Sequence, residues 1–221
     1  YTRYLKTDHH TYFRAIICSM KSSFSLDEVK ALLGVYRAGL LGDTTMPEES
    51  HPVFNNPELQ LTYFTLPMAL NYQRNSYKLW ESTLQTWNDS TTKEVFEISS
   101  VVQMDREKLK ECLMKYKLAI QPNQHIETWY RLSNTISTNW GSISKLLEST
   151  DYDFLELKKV VQTKYKKDFP YLSGPKIFNY WAYIIQEYGE VKLKNREYIE
   201  IAPDTHVIQA SIKLGVISEE E

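Results

Sequence analysis

A lysine follows a Gly-Pro pair in "LSGPKIFNYW", and 28 positions later an aspartate follows a proline in "IAPDTHVIQASIKLGV". Lys176 and Asp204 are the two side chains whose types and settings could do chemistry together. Gly174 permits backbone dihedrals closed to other residues, and Pro175 pre-sets the first turn of a helix. Helix geometry then leaves the Gly174, Lys176 and Ile177 amides without intrahelical acceptors. Such amides favour an anion such as a phosphate, and the Ser173 hydroxyl could add a donor. A lysine in a first helical turn stands against the helix dipole. If its tip is buried among Phe178, Tyr180 and Trp181, the ammonium form is destabilised, and a neutral amine is a nucleophile. The plain alternative is a lysine whose stem packs and whose head stays in water. Asp204 also reads two ways: as the N-cap of the helix that starts in "DTHVIQASIKLG", or as a rigidly held carboxylate that stays ionised at neutral pH. His206 reads as a partner of that carboxylate, or as an ordinary surface or packing histidine.

The elements that must position these residues are helical. Residues 1–20 read as an initial helix, and "SLDEVKALLGVYRAGLLG" as a second, ended by Gly39 and Gly42. "DTTMPEESHPVFNNPE" is a loop by its prolines and asparagines. Pro67 suits a first helical turn, from which Met68 to Gln73 continue a short buried helix. Asn75 or Ser76 then caps a new helix with Leu79, Trp80, Leu84 and Trp87 on one face. "DREKLKECLMKY", "NQHIETWYRLSNTISTNWGSISKLLE" and "YDFLELKKVVQTKYKKDF" repeat the pattern. Only "VKLKNREYIEIAP" lacks helical period, and residues 191–201 could form a small β-hairpin. The expectation is an all-α fold, a single compact domain over residues 1–221, with the helices of 1–45 packed on the rest, a hairpin at 168–185 and the aspartate segment at 202–215.

Composition limits the function classes. A hydrophobic content of 42% with 13% aromatics supports a sizeable core and excludes global disorder. No run of eighteen apolar residues is present, so a membrane span is not expected. Cys18 and Cys112 are too few for a disulfide framework, a four-thiolate zinc site or an iron–sulfur cluster, and they favour an intracellular setting. No metal or cofactor is expected, since His9-His10 has the wrong spacing for a helical metal pair and His51 and His125 stand alone. A net charge of −2 excludes a globally basic nucleic-acid coat. From Lys158 to Arg196, however, nine basic residues face three acids, a local surplus of six positive charges. The start at Tyr1, with no methionine, reads as a trimmed end.

"LSGPKIFNYW" followed by "PDTHVIQASIKLGV" resembles the helix-hairpin-helix DNA glycosylase superfamily. There a hairpin of the form Gly-x-Lys precedes an apolar helix, and a later Asp-x-His/Arg-Val stretch carries the essential aspartate. "LPMALNYQRNS" is similar to the family's apolar helix ending in glutamine, which places Gln73 where the family props the space left by a flipped base. The likeness runs from about residue 60 to 217. Three departures stand out. The family's first hairpin glycine falls on Leu172. The long interval between Lys176 and Asp204 is similar to the archaeal 8-oxoguanine branch, yet that branch's additional lysine falls on Tyr183. The family's closing helices have no counterpart after "GVISEEE".

The resemblance implies a base-excision repair glycosylase with an abasic-site lyase step. Lys176 and Asp204 would be catalytic, and Gln73, Ser173, Gly174, Pro175, Ile177 and His206 would contact DNA or substrate. The implied partner is double-stranded DNA with a damaged or abasic nucleotide, oxidised guanine being the expected base, bound by a monomer without cofactor, metal or membrane. Tyr72, Trp129, Phe178, Tyr180 and Trp181 are the aromatics that could stack on a flipped purine. Two alternatives stay open: an N-glycosidase of a free modified nucleoside or nucleotide, and a non-catalytic DNA-binding module in which Lys176 only clamps phosphate.

Overall fold

The computed structural model describes residues 26–40, 46–200 and 205–213, apart from the side chains of a few residues at the helix starts. The chain divides into two units, residues 46–202 and residues 1–45 with 203–221. Among the described residues every regular element is a helix or a helical turn, which makes the fold all-α. None of these helices is long and apolar enough to cross a membrane. In the smaller unit the described elements are α1 (Leu26–Arg37) and α10 (Thr205–Lys213). The initial helix expected over residues 1–20 lies outside the described residues.

The larger unit is built around α2 (Pro57–Thr65), whose residues Leu61 to Thr65 are all buried. A helix without a polar face belongs in the middle of a bundle. Asn56 caps it by accepting from the Glu58 and Leu59 amides, and Pro57 occupies its first turn. Its Glu58 carboxylate reaches across to accept from the Ile143 and Ser144 amides at 2.6 and 3.0 Å, satisfying the start of α7 (Ile143–Ser149). α3 (Ser76–Asn88) and α9 (Pro175–Glu187) pack on α2, and α4 (Ile98–Gln103), α5 (Arg106–Lys115), α6 (Gln124–Asn139) and α8 (Phe154–Lys159) are the other helices of the unit. Asn75, Asp105 and Asp153 cap α3, α5 and α8 through their side-chain oxygens. Aromatic rings of Phe54, Tyr63, Phe64, Trp80, Trp87 and Phe96 pack edge-on or tilted against one another in the core.

Two local expectations change. The short helix after Pro67 stops at Leu70 as a 3-10 turn, so Gln73 lies beyond it. The helical stretch from Gln124 to Ser149 forms two helices, with Gly141 at a left-handed φ of 83° between them. No strand forms over the described part of 191–201. Lys194 instead makes a lone parallel bridge with Asp153, its backbone bonding Tyr152 and Phe154. Left-handed Asn195 and the 3-10 turn Arg196–Tyr198 then break the extended path that a hairpin needs. Gly189 ends α9 at close quarters, since a Cβ there would stand 2.5 Å from the Ile185 carbonyl oxygen.

Candidate functional site

The turn joining α8 to α9 is anchored from below by Phe169 and Leu172, both fully buried. Leu172 stands where the resembling family has a glycine, and here its side chain serves as an apolar peg. Trp140 packs edge-on against Tyr165 and Phe169 from the side. α8 runs into the turn through a π-helical segment, Val160–Lys164. Backbone bonds from Ser173 to Phe169 and from Gly174 to Tyr171, both 2.9 Å, close the turn.

These bonds revise the expected anion cradle. The Gly174 amide is spent on the Tyr171 carbonyl, and the Ser173 hydroxyl donates to the Lys166 carbonyl at 3.1 Å. Among the described residues only the Lys176 and Ile177 amides of that set keep no acceptor. Gly174 is the N-cap of α9 with extended dihedrals, and a Cβ there would meet the Tyr171 carbonyl oxygen at 3.1 Å. Pro175 holds the first helical position, and its carbonyl accepts from Asn179. Ile177 points inward and is buried. Lys176 is exposed, as for a lysine whose head stays in water.

Gln73 is brought to this turn from another part of the chain. It is exposed with a left-handed φ of 50°, and its neighbour Tyr72 stacks on Tyr171 with centroids 5.1 Å apart. Tyr171 is itself left-handed, at φ 60°, and its hydroxyl accepts from Gln124 at the start of α6. Arg74, next to Gln73, donates to the Leu118 and Lys117 carbonyls, and Lys117 is a third left-handed residue, at φ 58°. Non-glycine residues in this region cost strain and gather where a loop's shape serves a function. Burial brings the Arg74 guanidinium down to about 10. Burial first and Arg74 second bring His125 down to about 4; its Nδ1 accepts from the Ile120 amide. Arg74 and the Tyr72–Tyr171 stack carried no signal in the sequence beyond their residue types.

Of the aromatics that could receive a base, Trp129, Phe178 and Trp181 are fully buried core. Tyr72 is 52% exposed, and Tyr180 is half-buried one turn after Lys176 on the same face of α9. Lys166, Lys167 and Lys176 around the turn are exposed and form no ion pair among the described residues. Asp204 lies outside the described residues, as does the side chain of His206.

The chain matches no protein-family model, no curated protein and no solved structure.

Proposed function

We propose that the protein is a DNA base-excision glycosylase with an abasic-site lyase step. One observation supports this reading most directly: the Tyr72–Tyr171 stack ties the loop of Gln73 to the cation-rich turn that leads into Lys176. These are the two parts the reading requires on one face, and they are about a hundred residues apart in the chain.

In this reading the damaged nucleotide swings out of the duplex, at a cost of a few kcal/mol, and Gln73 fills the vacancy. Lys166, Lys167 and the open amides at the start of α9 hold backbone phosphate. Asp204 stabilises positive charge on the sugar as the glycosidic bond breaks. Lys176 supplies the attacking amine. The amine forms a bond to C1′ as the base departs with the proton the amine gives up, and the C1′–O4′ bond then opens, its oxygen taking the remaining amine proton, to leave a Schiff base. That Schiff base loses a C2′ proton and eliminates the 3′ phosphate, which cleaves the strand.

Borohydride trapping on a duplex with one abasic site tests the reading. Wild-type protein is expected to give a covalent adduct that Lys176→Gln lacks; no adduct, or one that persists in the variant, removes Lys176 from the role. The exposure of Lys176 favours a second reading, a DNA-binding module that uses the lysine as a phosphate clamp. That module would bind duplex DNA with a steep salt dependence and release no base.

A further inference from the structure

Loops distant in sequence are tied together to hold one ring pair at the surface. Arg74 fixes the loop after Leu70 by donating to the Lys117 and Leu118 carbonyls. From the other side Gln124 donates to the Tyr171 hydroxyl. Between these ties Tyr72 lies on Tyr171, with 23° between the ring planes and 5.1 Å between centroids. Gln73, Lys117 and Tyr171, one from each loop, all hold left-handed dihedrals, at φ 50°, 58° and 60°. Side chains other than glycine keep such dihedrals only where surrounding contacts enforce them.

The enforcement does not bury the outer ring. Tyr72 is 52% exposed, and Tyr171 is its one ring partner among the described residues. One face of Tyr72 is covered by Tyr171, and the exposed area belongs to the rest of the ring. Two more apolar side chains stand out beside the same loops: Tyr77, 56% exposed in the first turn of α3, and Ile120, 49% exposed between α5 and α6. The turn that holds Tyr171 also carries Lys166 and Lys167 and leads into Lys176. All three lysines are exposed and form no ion pair among the described residues. An aromatic face open to water beside cations without acids is complementary to a base joined to phosphates.

We propose that the open face of Tyr72 is a stacking platform for an unpaired base, so that the DNA this protein takes is single-stranded or locally melted where it crosses the platform. This rests on the glycosylase reading for the partner being DNA. A ring backed by a second ring and a folded turn has one face to give, so it does not slide between the base pairs of a closed duplex. A base inside that duplex has both of its own faces covered by neighbours, and only one that has left the stack can lie on Tyr72. A base that is already unpaired costs least to place there. Every base has a flat face, so the platform favours unpaired strand without reading its sequence. The lysines hold phosphates of paired and unpaired strands alike, and Tyr72 is the residue that tells the two apart.

Fluorescence anisotropy of the full chain with a labelled oligothymidylate and with a blunt duplex of the same length tests this. Tyr72→Ala is expected to weaken oligothymidylate binding about tenfold and to leave duplex binding within about twofold of wild type. Tyr72→Phe keeps the ring and is expected to bind both DNAs as wild type does. Lys166→Glu with Lys167→Glu is expected to weaken both. A wild type that does not bind oligothymidylate, a Tyr72→Ala that binds it unchanged, or equal losses on the two DNAs overturns the proposal. Absence of a borohydride adduct on any abasic strand, with the Tyr72→Ala difference intact, would overturn the lyase and leave the platform standing. An adduct formed by a protein whose DNA binding ignores Tyr72→Ala would overturn the platform alone.

Discussion

Two sets of lysines lie close together in the chain and differ in what the fold does with them. Lys158, Lys159 and Lys194 lean on Glu200, Glu156 and Asp151 at 3.9, 2.6 and 2.7 Å, so each of these charges has an acid beside it. Lys166, Lys167 and Lys176 surround the turn before α9, and among the described residues no acid is paired to them. The positive charge counted along the sequence is therefore used unevenly: three of its members are matched by acids, while Lys166, Lys167 and Lys176 stand exposed at the turn that the Tyr72–Tyr171 stack joins to the Gln73 loop.

The largest expected effect separates chemistry from charge. Lys176→Gln should remove the trapped abasic-site adduct down to background, while the melting temperature reports a stability change within about 0.5 kcal/mol, as for other exposed positions. Arg74→Ala comes next. It leaves two loop carbonyls without their charged donor and should cost about 2–3 kcal/mol in urea denaturation. It should also slow base release, because the Gln73 loop loses its tie to residues 117–118. The comparison between the lysine sets is tested by charge reversal. Lys166→Glu with Lys167→Glu should lower the slope of log affinity against log salt by about 2. Lys158→Glu with Lys159→Glu should leave it nearly unchanged; equal effects from both pairs would erase the distinction.

The Gln73 side also carries a pH dependence. His125 takes a proton near 6.5 when unfolded and only near about 4 when folded. The unfolded chain thus binds more protons between those values, and stability falls as pH drops through that window. His125→Gln should flatten this part of a melting-temperature profile against pH. The smallest effect is expected from Tyr171→Ala, which loses the Tyr72 stack and the Gln124 bond and should cost about 0.5–1.5 kcal/mol.

Much of the architecture was readable without coordinates because it depends on short-range chemistry. Asn75 before "SYKLW" and Pro175 after Gly174 start helices where the residue types require them, and Leu79, Trp80 and Trp87 fall on the buried face their spacing implies. Reading failed where a local pattern was overruled from a distance. The 191–201 segment looked extended, but Lys194 gives its backbone bonds to residues 152 and 154. Ser173 looked like a free donor, but its hydroxyl closes the turn onto Lys166. Glu48 sits in a stretch of prolines and acids that reads as a solvated loop, and nothing in that stretch signals its burial beside Tyr180.

By itself the sequence determined the helical class, most caps and the residue types gathered before α9, since these follow from hydrogen bonds and periodicity within a few residues. Only the tertiary structure decided that Lys176 stays in water, that Tyr72 carries Gln73 to Tyr171, and that Glu48 lies buried against the helix of the lysine. Each of these depends on which distant surfaces exclude water from one another, and that is a property of the packed chain rather than of any segment.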